Sequence, residues 1–376
     1  MSRQKWTIWI TILLFLLCGL IFVIYWFGWG RFVESTNDAY VNGNMILITP
    51  QEEGIVTTIL VDNTQLVEAG EPLVELDRHD YEILLDKAKA DLADTVRQVV
   101  QMFIKVDELE AKRDVIKSDL LRASWDYHHR LALVTDGSVS KEDFEHSETS
   151  LYGAYAYLRE VDKAIAFAKA EVENTTIATH PKTEQAKANL RKAFLGLYRC
   201  VVRAPVRGIV TQRKAQVGQW VKASDPLMAI VPVDQIWVDA NYREVSLKNL
   251  RIGQPVELIS DMYGRDVKFH GEIVGLNPGT GSVFSILPPQ NASGNWIKII
   301  QRIPVKISLN PHELKVHPLI LGLSMTVRAD IHHKSGLQLP SATLAKPIYQ
   351  SDIYLKELNG SDEMIDQIIR GNTTGP

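Results

Sequence analysis

A chain of 376 residues with 41 basic and 45 acidic side chains has a formal charge of −4, so it carries neither the basic excess of a nucleic-acid binder nor a solvating acidic tail. Its length suits two or three domains, and at 45% hydrophobic and 23% charged its composition is that of a folded protein. Two cysteines exclude a disulfide-stapled scaffold.

The apolar residues are unevenly spread. Residues 1–5 hold Arg3 and Lys5, and residues 6–29 are 24 positions without a charge. At ~1.5 Å per residue such a helix spans roughly 36 Å, enough to cross the ~30 Å hydrocarbon core with some tilt. Fourteen of the 24 are Leu, Ile, Val or Phe. At roughly −0.3 to −0.6 kcal/mol each they favour insertion by about 4–8 kcal/mol. Trp6, Trp9, Trp26 and Trp29 fall near the two interfaces as an aromatic belt. The basic residues before the span predict a single pass with residues 1–5 cytoplasmic and everything after Arg31 outside. The run is too long for a cleaved signal peptide and no small-residue cleavage pattern follows it. Leu16 and Leu17 before Cys18 oppose a lipoprotein site. With Cys18 in the span and Cys200 ending a helix, no disulfide is expected.

Residues 30–38 read as a short polar linker and residues 39–50 as a strand that Pro50 ends. We assign 30–45 to the linker and first barrel strand. Residues 46–77 form a small β unit with turns at Gly54, Asp62-Asn63 and Ala69-Gly70-Glu71-Pro72. At Asp80 the period changes. With Leu85 as position a, the a series runs Leu85, Leu92, Val99, Val106, Arg113, Leu120, Tyr127, Val134, and the d series Ala88, Thr95, Met102, Leu109, Ile116, Ala123, Arg130. This heptad predicts a left-handed coiled coil whose seam Arg113 breaks. Thr135-Asp136-Gly137-Ser138 is a turn, and Ser140 with Asp143 three residues on reads as a helix N-cap. A second heptad follows through Phe144, Leu151, Leu158, Ile165 and Val172, with Ala154, Val161 and Ala168 at d. The short turn makes the two helices antiparallel neighbours. Residues 78–201 are thus a helical hairpin with its tip at 134–141, and its first helix is roughly 85 Å long. Pro181 interrupts the return helix over 174–183; it resumes near Glu184 and ends around Cys200.

Residues 202–232 repeat the earlier β unit. Gly54-Ile55-Val56-Thr57 returns as Gly208-Ile209-Val210-Thr211, and Gln65, Val67, Ala69, Pro72 and Leu73 return as Gln219, Val221, Ala223, Pro226 and Leu227. Over residues 54–73 and 208–227 that is nine identities in twenty positions without a gap. Two such segments are two halves of one small module, opened by insertion of the hairpin, an arrangement that suits a spacer or docking arm better than an enzyme. Residues 233–337 read as a small antiparallel barrel with strands at 236–238, 255–259, 272–274, 296–300, 304–307 and 325–329. Within it, Gly279-Thr280-Gly281-Ser282-Val283-Phe284 and Pro288-Pro289 bound an apolar loop. Residues 338–376 form a weakly patterned C-terminal tail, frayed over 371–376. The fold class is α+β and multidomain: an N-terminal transmembrane helix, a split lipoyl-like β module, an inserted antiparallel coiled-coil hairpin and a membrane-proximal β-barrel.

No chemistry is visible. Gly275, Gly279 and Gly281 lack the Lys-Ser/Thr of a phosphate loop, and no HExxH, CxxC or GxSxG occurs. His128-His129 and His332-His333 are adjacent, so each pair splits between two faces and makes a poor metal unit. A lipoyl or biotin carrier needs an exposed lysine where this chain places its helical insertion. No catalytic, cofactor-binding or metal-binding residue is assigned.

Together the four parts resemble the membrane fusion proteins, the periplasmic adaptors of Gram-negative export systems, and most closely the EmrA-type multidrug adaptors. The resemblance rests on Asn37-Asp38-Ala39-Tyr40-Val41, Arg203-Ala204-Pro205 before Gly208, Met228-Ala229-Ile230-Val231-Pro232 with Ile236-Trp237-Val238-Asp239-Ala240-Asn241, and most specifically on Gly279-Thr280-Gly281-Ser282-Val283-Phe284-Ser285 and Gln290-Asn291-Ala292-Ser293-Gly294-Asn295-Trp296-Ile297-Lys298. It implies an inner-membrane protein with its bulk in the periplasm, a homo-oligomer (trimer or hexamer) that sits with a transporter of the major facilitator class and meets a TolC-like outer-membrane channel at the hairpin tip. Related adaptors carry at the tip an Arg, a Leu four residues on and a Ser seven beyond that. Leu133 and Ser140 hold that spacing, whereas His129 stands in the Arg place with Arg130 beside it. The implied channel contact is therefore His129, Arg130, Leu133 and Ser140. Gly281, Val283, Phe284, Ile286 and Leu287 either plug the barrel or face the transporter, and their setting between Gly and Pro favours the contact. An adaptor for protein or peptide secretion with an ATP-driven partner is the main alternative. A small-molecule sensor would need an output domain, for which about five residues before the span leave no room, and a purely structural spacer would not need the barrel loop.

Overall fold

A computed structural model describes residues 3–28, 30–281, 283, 300–339 and 347–373. In chain order these form α1 (Arg3–Gly28), β1 (Val33–Gly43), β2 (Ile46–Ile48), β3 (Gly54–Ile59), β4 (Leu66–Val67), β5 (Pro72–Leu76), α2 (His79–Val134), α3 (Lys141–Val172), α4 (Pro181–Arg199), β6 (Val201–Arg203), β7 (Gly208–Thr211), β8 (Trp220–Val221), β9 (Met228–Val231), β10 (Ile236–Arg243), β11 (Pro255–Ser260), β12 (Lys268–Leu276), β13 (Arg302–Leu309), α5 (Pro311–Val316), β14 (Ser324–Asp330) and α6 (Ser361–Thr373).

Every described side chain of α1 is exposed, and its mean hydropathy reaches 2.7. A helix apolar on all faces with no protein around it is satisfied by lipid. One 3-10 turn, Gly30–Phe32, then leads straight into β1. The strand begins at Val33, so most of the stretch read as linker is strand. Its polar residues are accommodated by a β-bulge between Thr36 and Ala39. Thr36 Oγ1 donates to the Asn241 carbonyl at 3.0 Å and accepts from the Asp38 N–H at 3.1 Å.

Six strands close the barrel in the order β1-β10-β13-β12-β11-β14. Alternation fills it: Val238, Ala240 and Tyr242 from β10, Leu258 from β11, Phe269 and Ile273 from β12, Val305 and Ile307 from β13, and Met325, Val327 and Ala329 from β14 all point inward. Closure leaves no strand edge open to another chain. Five of the expected strands lie inside β10 to β14; the one expected at 296–300 falls outside the described residues except for Ile300, which is not in a strand.

The split module forms two four-stranded sheets, β2-β9-β7-β4 and β6-β5-β3-β8. Each half of the repeat completes the other's sheet. Gly54 pairs with Val221, and its equivalent Gly208 pairs with Val67. The Val56 N–H donates to the Gln219 carbonyl at 2.9 Å, and the equivalent Val210 N–H to Gln65 at 2.9 Å. Even the turns match: Gly70 has φ +87° and Ser224, at the same place in the second copy, φ +78°. The repetition is a two-fold axis through one core of Val56, Val67, Leu73, Val210, Val221 and Leu227. A Cβ on Gly208 would stand 2.5 Å from the Val231 carbonyl oxygen, so the second copy tolerates only glycine there.

The hairpin leaves β5 and returns on β6, and these two strands pair with each other. α2 has 56 residues, ~84 Å at 1.5 Å each. On α3 every a and d position from Phe144 to Val172 is buried or half-buried, as the heptad predicts. Val106, Ile116, Val161, Ile165, Ala168 and Val172 form the seam. Arg113, the seam-breaker, faces Asp162, with Nε 2.8 Å from Oδ1 across the hairpin, an ion pair rather than an aligned hydrogen bond. The return helix resumes three residues before Glu184, at Pro181, where a proline costs no hydrogen bond. His180 caps it: Nδ1 accepts from the Lys182 N–H at 3.2 Å while Nε2 meets the Glu171 carbonyl at 3.1 Å.

The stretch read as a weakly patterned tail contains α6, which returns to the hairpin base. Ile365 and Ile369 are buried against Leu85, Leu92, Val96, Ala186 and Leu190. Val96 lies off the heptad yet is fully buried, because the base is a bundle with α4 and α6 rather than a two-helix coil. Arg191 Nη2 holds Asp362 at 2.8 Å, and Arg199 Nη2 holds Glu357 at 2.7 Å with Glu357 only 7% exposed. Both cysteines are free. Cys200 is 1% exposed beside this junction, and burial, then Glu52, pushes its thiol up from 9.0 to about 11.

Two outcomes follow. Arg199→Ala leaves the buried Glu357 without its counter-charge; since Arg199 keeps 29% exposure the loss is about 2 kcal/mol, below the ~3–5 of a fully buried pair. Alkylation of Cys200 by iodoacetamide, followed by mass spectrometry, then speeds up, and an unchanged rate refutes a structural role for the Arg199–Glu357 pair. The raised thiol contributes stability fully below pH 9 that is lost as pH climbs from 9.0 to about 11, so alkaline melting loses part of its slope in Cys200→Ala.

Candidate functional site

The tip is built by two helix-end devices. Gly137 takes φ +69°, which lets its N–H donate to the Val134 carbonyl at 3.3 Å and the Ser138 N–H to Leu133 at 3.2 Å, the paired bonds that close a helix on a left-handed residue. Ser140 is extended and caps α3, its Oγ accepting from the Asp143 N–H at 3.1 Å and donating to Asp143 Oδ2 at 2.7 Å. Arg130 Nη1 donates to the Asp143 carbonyl at 3.0 Å, strapping α2 to the first turn of α3. Below it the rings of Tyr127 and Phe144 meet at 5.5 Å.

Of the four residues the resemblance assigned, Arg130 and Ser140 are therefore tied into the turn, Leu133 is half-buried, and His129 faces out. His129 stacks with Trp125 at 6.3 Å between ring centroids. Leu121 is 70% and Trp125 77% exposed. Leu121, Trp125 and His129 recur every four residues and so make one ridge along α2. The sequence reading missed this ridge because it followed the a/d seam. The readable sign was a leucine and a tryptophan at outward heptad positions that a solvated coil fills with charge. Toward the tip from Ile116, no residue of α2 is buried.

At the opposite end, Leu276 closes β12 and Arg302 opens β13, so residues 277–301 connect them. β10 pairs with β1 from Ala39↔Ala240 to Gly43↔Ile236, and Arg243 at its end pairs with Arg302. The start of β1, the end of β10 and the start of β13 thus share one rim, and the loop emerges on the rim where the chain arrives from α1. Gly281 and Val283 are described; the Val283 N–H donates to Thr280 at 3.0 Å and the side chain is 64% exposed. Phe284, Ile286 and Leu287 lie outside the described residues, as does Trp29 of the expected belt; Trp6, Trp9 and Trp26 are exposed along α1.

Among the described residues no three His, Cys, Asp or Glu side chains gather as metal ligands. A cavity of about 210 Å³ lies where residues 353–357 cover β2 and β6, lined by Ile46, Ile48, Val202, Arg203, Tyr354 and Glu357. It is smaller than the roughly 300–1,000 Å³ of sites that bury a drug-sized ligand, and the Arg199–Glu357 pair lies on its wall.

Residues 79–200 match the family model of the EMRA alpha-helical hairpin domain. The chain is 38% identical over 364 residues to the multidrug export protein EmrA of Haemophilus influenzae, covering 97% of this chain and 93% of that one. It is 39% identical over 349 residues to EmrA of Escherichia coli, covering 93% and 90%, and 39% identical over 334 residues to the fatty acid resistance protein FarA of Neisseria gonorrhoeae, covering 89% and 85%. A solved structure of the periplasmic adaptor protein EmrA overlays at a TM-score of 0.40 with 22% identity, over 80% of this chain and 99% of that one, a likeness loose enough that the sequence relatives carry the assignment.

The ridge and the turn separate by substitution. Trp125→Ala removes a side chain that is 77% exposed and leaves the melting temperature of the purified chain unchanged, whereas Gly137→Val forces a β-branched residue into φ +69° and destabilises the tip by about 1–2 kcal/mol. A fall in melting temperature for Trp125→Ala refutes the free ridge.

Proposed function

The chain belongs to the EmrA family of multidrug export proteins, and from that we propose that it is the periplasmic adaptor of a tripartite multidrug efflux pump. In this reading it bridges an inner-membrane transporter of the major facilitator class to a TolC-like outer-membrane channel and performs no catalysis. The N-terminus lies in the cytoplasm and the remainder in the periplasm. The adaptor assembles as a trimer or hexamer with the split modules side by side and the hairpins forming a tube. The transporter supplies free energy from the proton gradient, and the sealed path keeps an amphipathic drug from re-entering the inner membrane.

The observation that carries the reading is the exposed ridge of Leu121, Trp125 and His129 at the far end of a hairpin whose other end is rooted in the split module. Large apolar side chains left in water mark a surface with a partner. The unburied distal part of α2 supports the same view, since its packing is completed only by neighbouring hairpins or a channel. The channel contact we propose is His129, Leu133 and Trp125, with Arg130 and Ser140 holding the turn. The transporter contact we propose is the loop that includes Gly281 and Val283 and continues through Phe284, Ile286 and Leu287.

Deleting the gene, and separately only residues 120–155, is expected to make the host hypersensitive to uncouplers and hydrophobic antibiotics in both strains. Normal susceptibility with a lost secreted product supports protein or peptide secretion with an ATP-driven partner instead. No change in either strain rejects an export role.

A further inference from the structure

The outer wall of the barrel carries a basic groove next to the anchor. Arg243 of β10, Arg302 of β13 and Arg328 of β14 line it with Ser35, Thr36 and Asn37 of β1, around about 330 Å³. Strand register sets Arg243 directly opposite Arg302 and Ser35 opposite Arg328. Like charges directly opposed on neighbouring strands destabilise a sheet unless something answers them. Here the answer is incomplete. Arg302 Nη1 donates to Asp38 Oδ2 at 2.7 Å. Arg328 has Glu257 at 3.8 Å, a carboxylate that Lys268 also holds at 3.1 Å. Glu34, at the start of the same strand, accepts from Asn249 Nδ2 at 2.9 Å. The Arg243 side chain makes no ion pair or hydrogen bond among the described residues. The bulged segment of β1 lines the groove with the three arginines and brings the Ser35 hydroxyl to it, while the Thr36 hydroxyl stays committed to the Asn241 carbonyl.

The groove is also close to lipid. Ser35 and Thr36 follow Phe32, the last residue of the turn after α1, by three and four residues, roughly 10–13 Å along a strand and, at the ~35–45° tilt of barrel strands, about 7–11 Å in height, so that an arginine side chain there extends into the headgroups. The headgroup layer extends ~5–8 Å beyond the hydrocarbon core on each side. Arg31 marks that boundary, its guanidinium over Phe32 at 4.7 Å and over Phe27 at 5.5 Å. A phosphate offers the negative charge and the acceptor oxygens that paired guanidiniums and hydroxyls take up.

We propose that this groove binds the phosphate of an anionic phospholipid from the membrane that α1 occupies, and that the headgroup supplies the counter-charge missing between Arg243 and Arg302. The lipid then fixes the height and rotation of the barrel on the bilayer, so that the loop after β12 meets the membrane plane in one orientation. The proposal needs α1 in a membrane and is independent of what the assembly exports.

The test uses the full chain in neutral detergent, with melting followed as short-chain phosphatidylglycerol, phosphatidylcholine or inorganic phosphate is added. Phosphatidylglycerol is expected to raise the melting temperature saturably, and the other two not at equal concentration. Arg243→Gln and Arg328→Gln each weaken the half-saturation point about fivefold, and added salt weakens it further. In detergent alone Arg243→Gln melts no lower than the wild type, because a repulsion is relieved; this exposed residue keeps the test valid should Arg328→Gln misfold. An equal response to phosphatidylcholine overturns the proposal, as does an undiminished phosphatidylglycerol response in Arg243→Gln. A matching response to inorganic phosphate replaces the lipid with a free-anion site. Retained lipid response with lost co-purification of an inner-membrane transporter assigns the groove to an acidic protein loop.

Discussion

The structure depends on strand exchange between the two halves of the split module. Gly54 against Val221 and Gly208 against Val67 mean that neither half completes a sheet alone. The chain between them can be as long as it likes, provided its ends return to β5 and β6, which pair. An antiparallel helical hairpin meets that requirement at any length, because its two ends lie side by side by construction. The same exchange explains why the hairpin is held stiffly: its base grows from two adjacent, hydrogen-bonded strands rather than from loops.

Packing along the hairpin is graded. At the base, α2 meets α4 and α6, and Leu92, Val96 and Leu190 are fully buried. In the middle it is a two-helix seam with ion pairs across it, Arg113 to Asp162 and Lys169 to Glu110. Beyond Ile116 no α2 residue is buried, and order at the tip comes from the Gly137 closure, the Ser140 cap and the Arg130 strap. Local opening is therefore cheapest at the far end. An arm that must carry force to its root and adjust its end to a partner has the gradient in this direction.

Much of this was legible because it is local or periodic. The heptad from Phe144 to Val172, the Ser140 cap and the duplicated Gly-Ile-Val-Thr each state their structure within a few residues, and the burial of α3 follows the first of them. What was missed depends on distant partners. Met364, Ile365, Ile368 and Ile369 make an apolar stripe within a 13-residue helix, but the surface that receives it comes from α2 and α4, far back in the chain. The early start of β1 hides behind polar residues that a bulge and a neighbouring carbonyl accommodate. At the tip, two of the four residues to which the resemblance pointed, Arg130 and Ser140, build the turn, while the ridge that His129 shares with Leu121 and Trp125 follows a spacing of four that the seven-residue reading passes over.

The return of α6 to the hairpin base also sets a schedule. The residues that cover Leu92 and Leu190 are synthesised only after both halves of the module and the barrel. Until they arrive, the base of the arm shows a bare apolar face to solvent, the kind of surface that chaperones hold and proteases sample. Chains cut short within the barrel would keep that face open and be recognisable as unfinished. Completion of the last helix thus works as a seal of manufacture, withholding a stiff arm from any chain that has not been delivered in full.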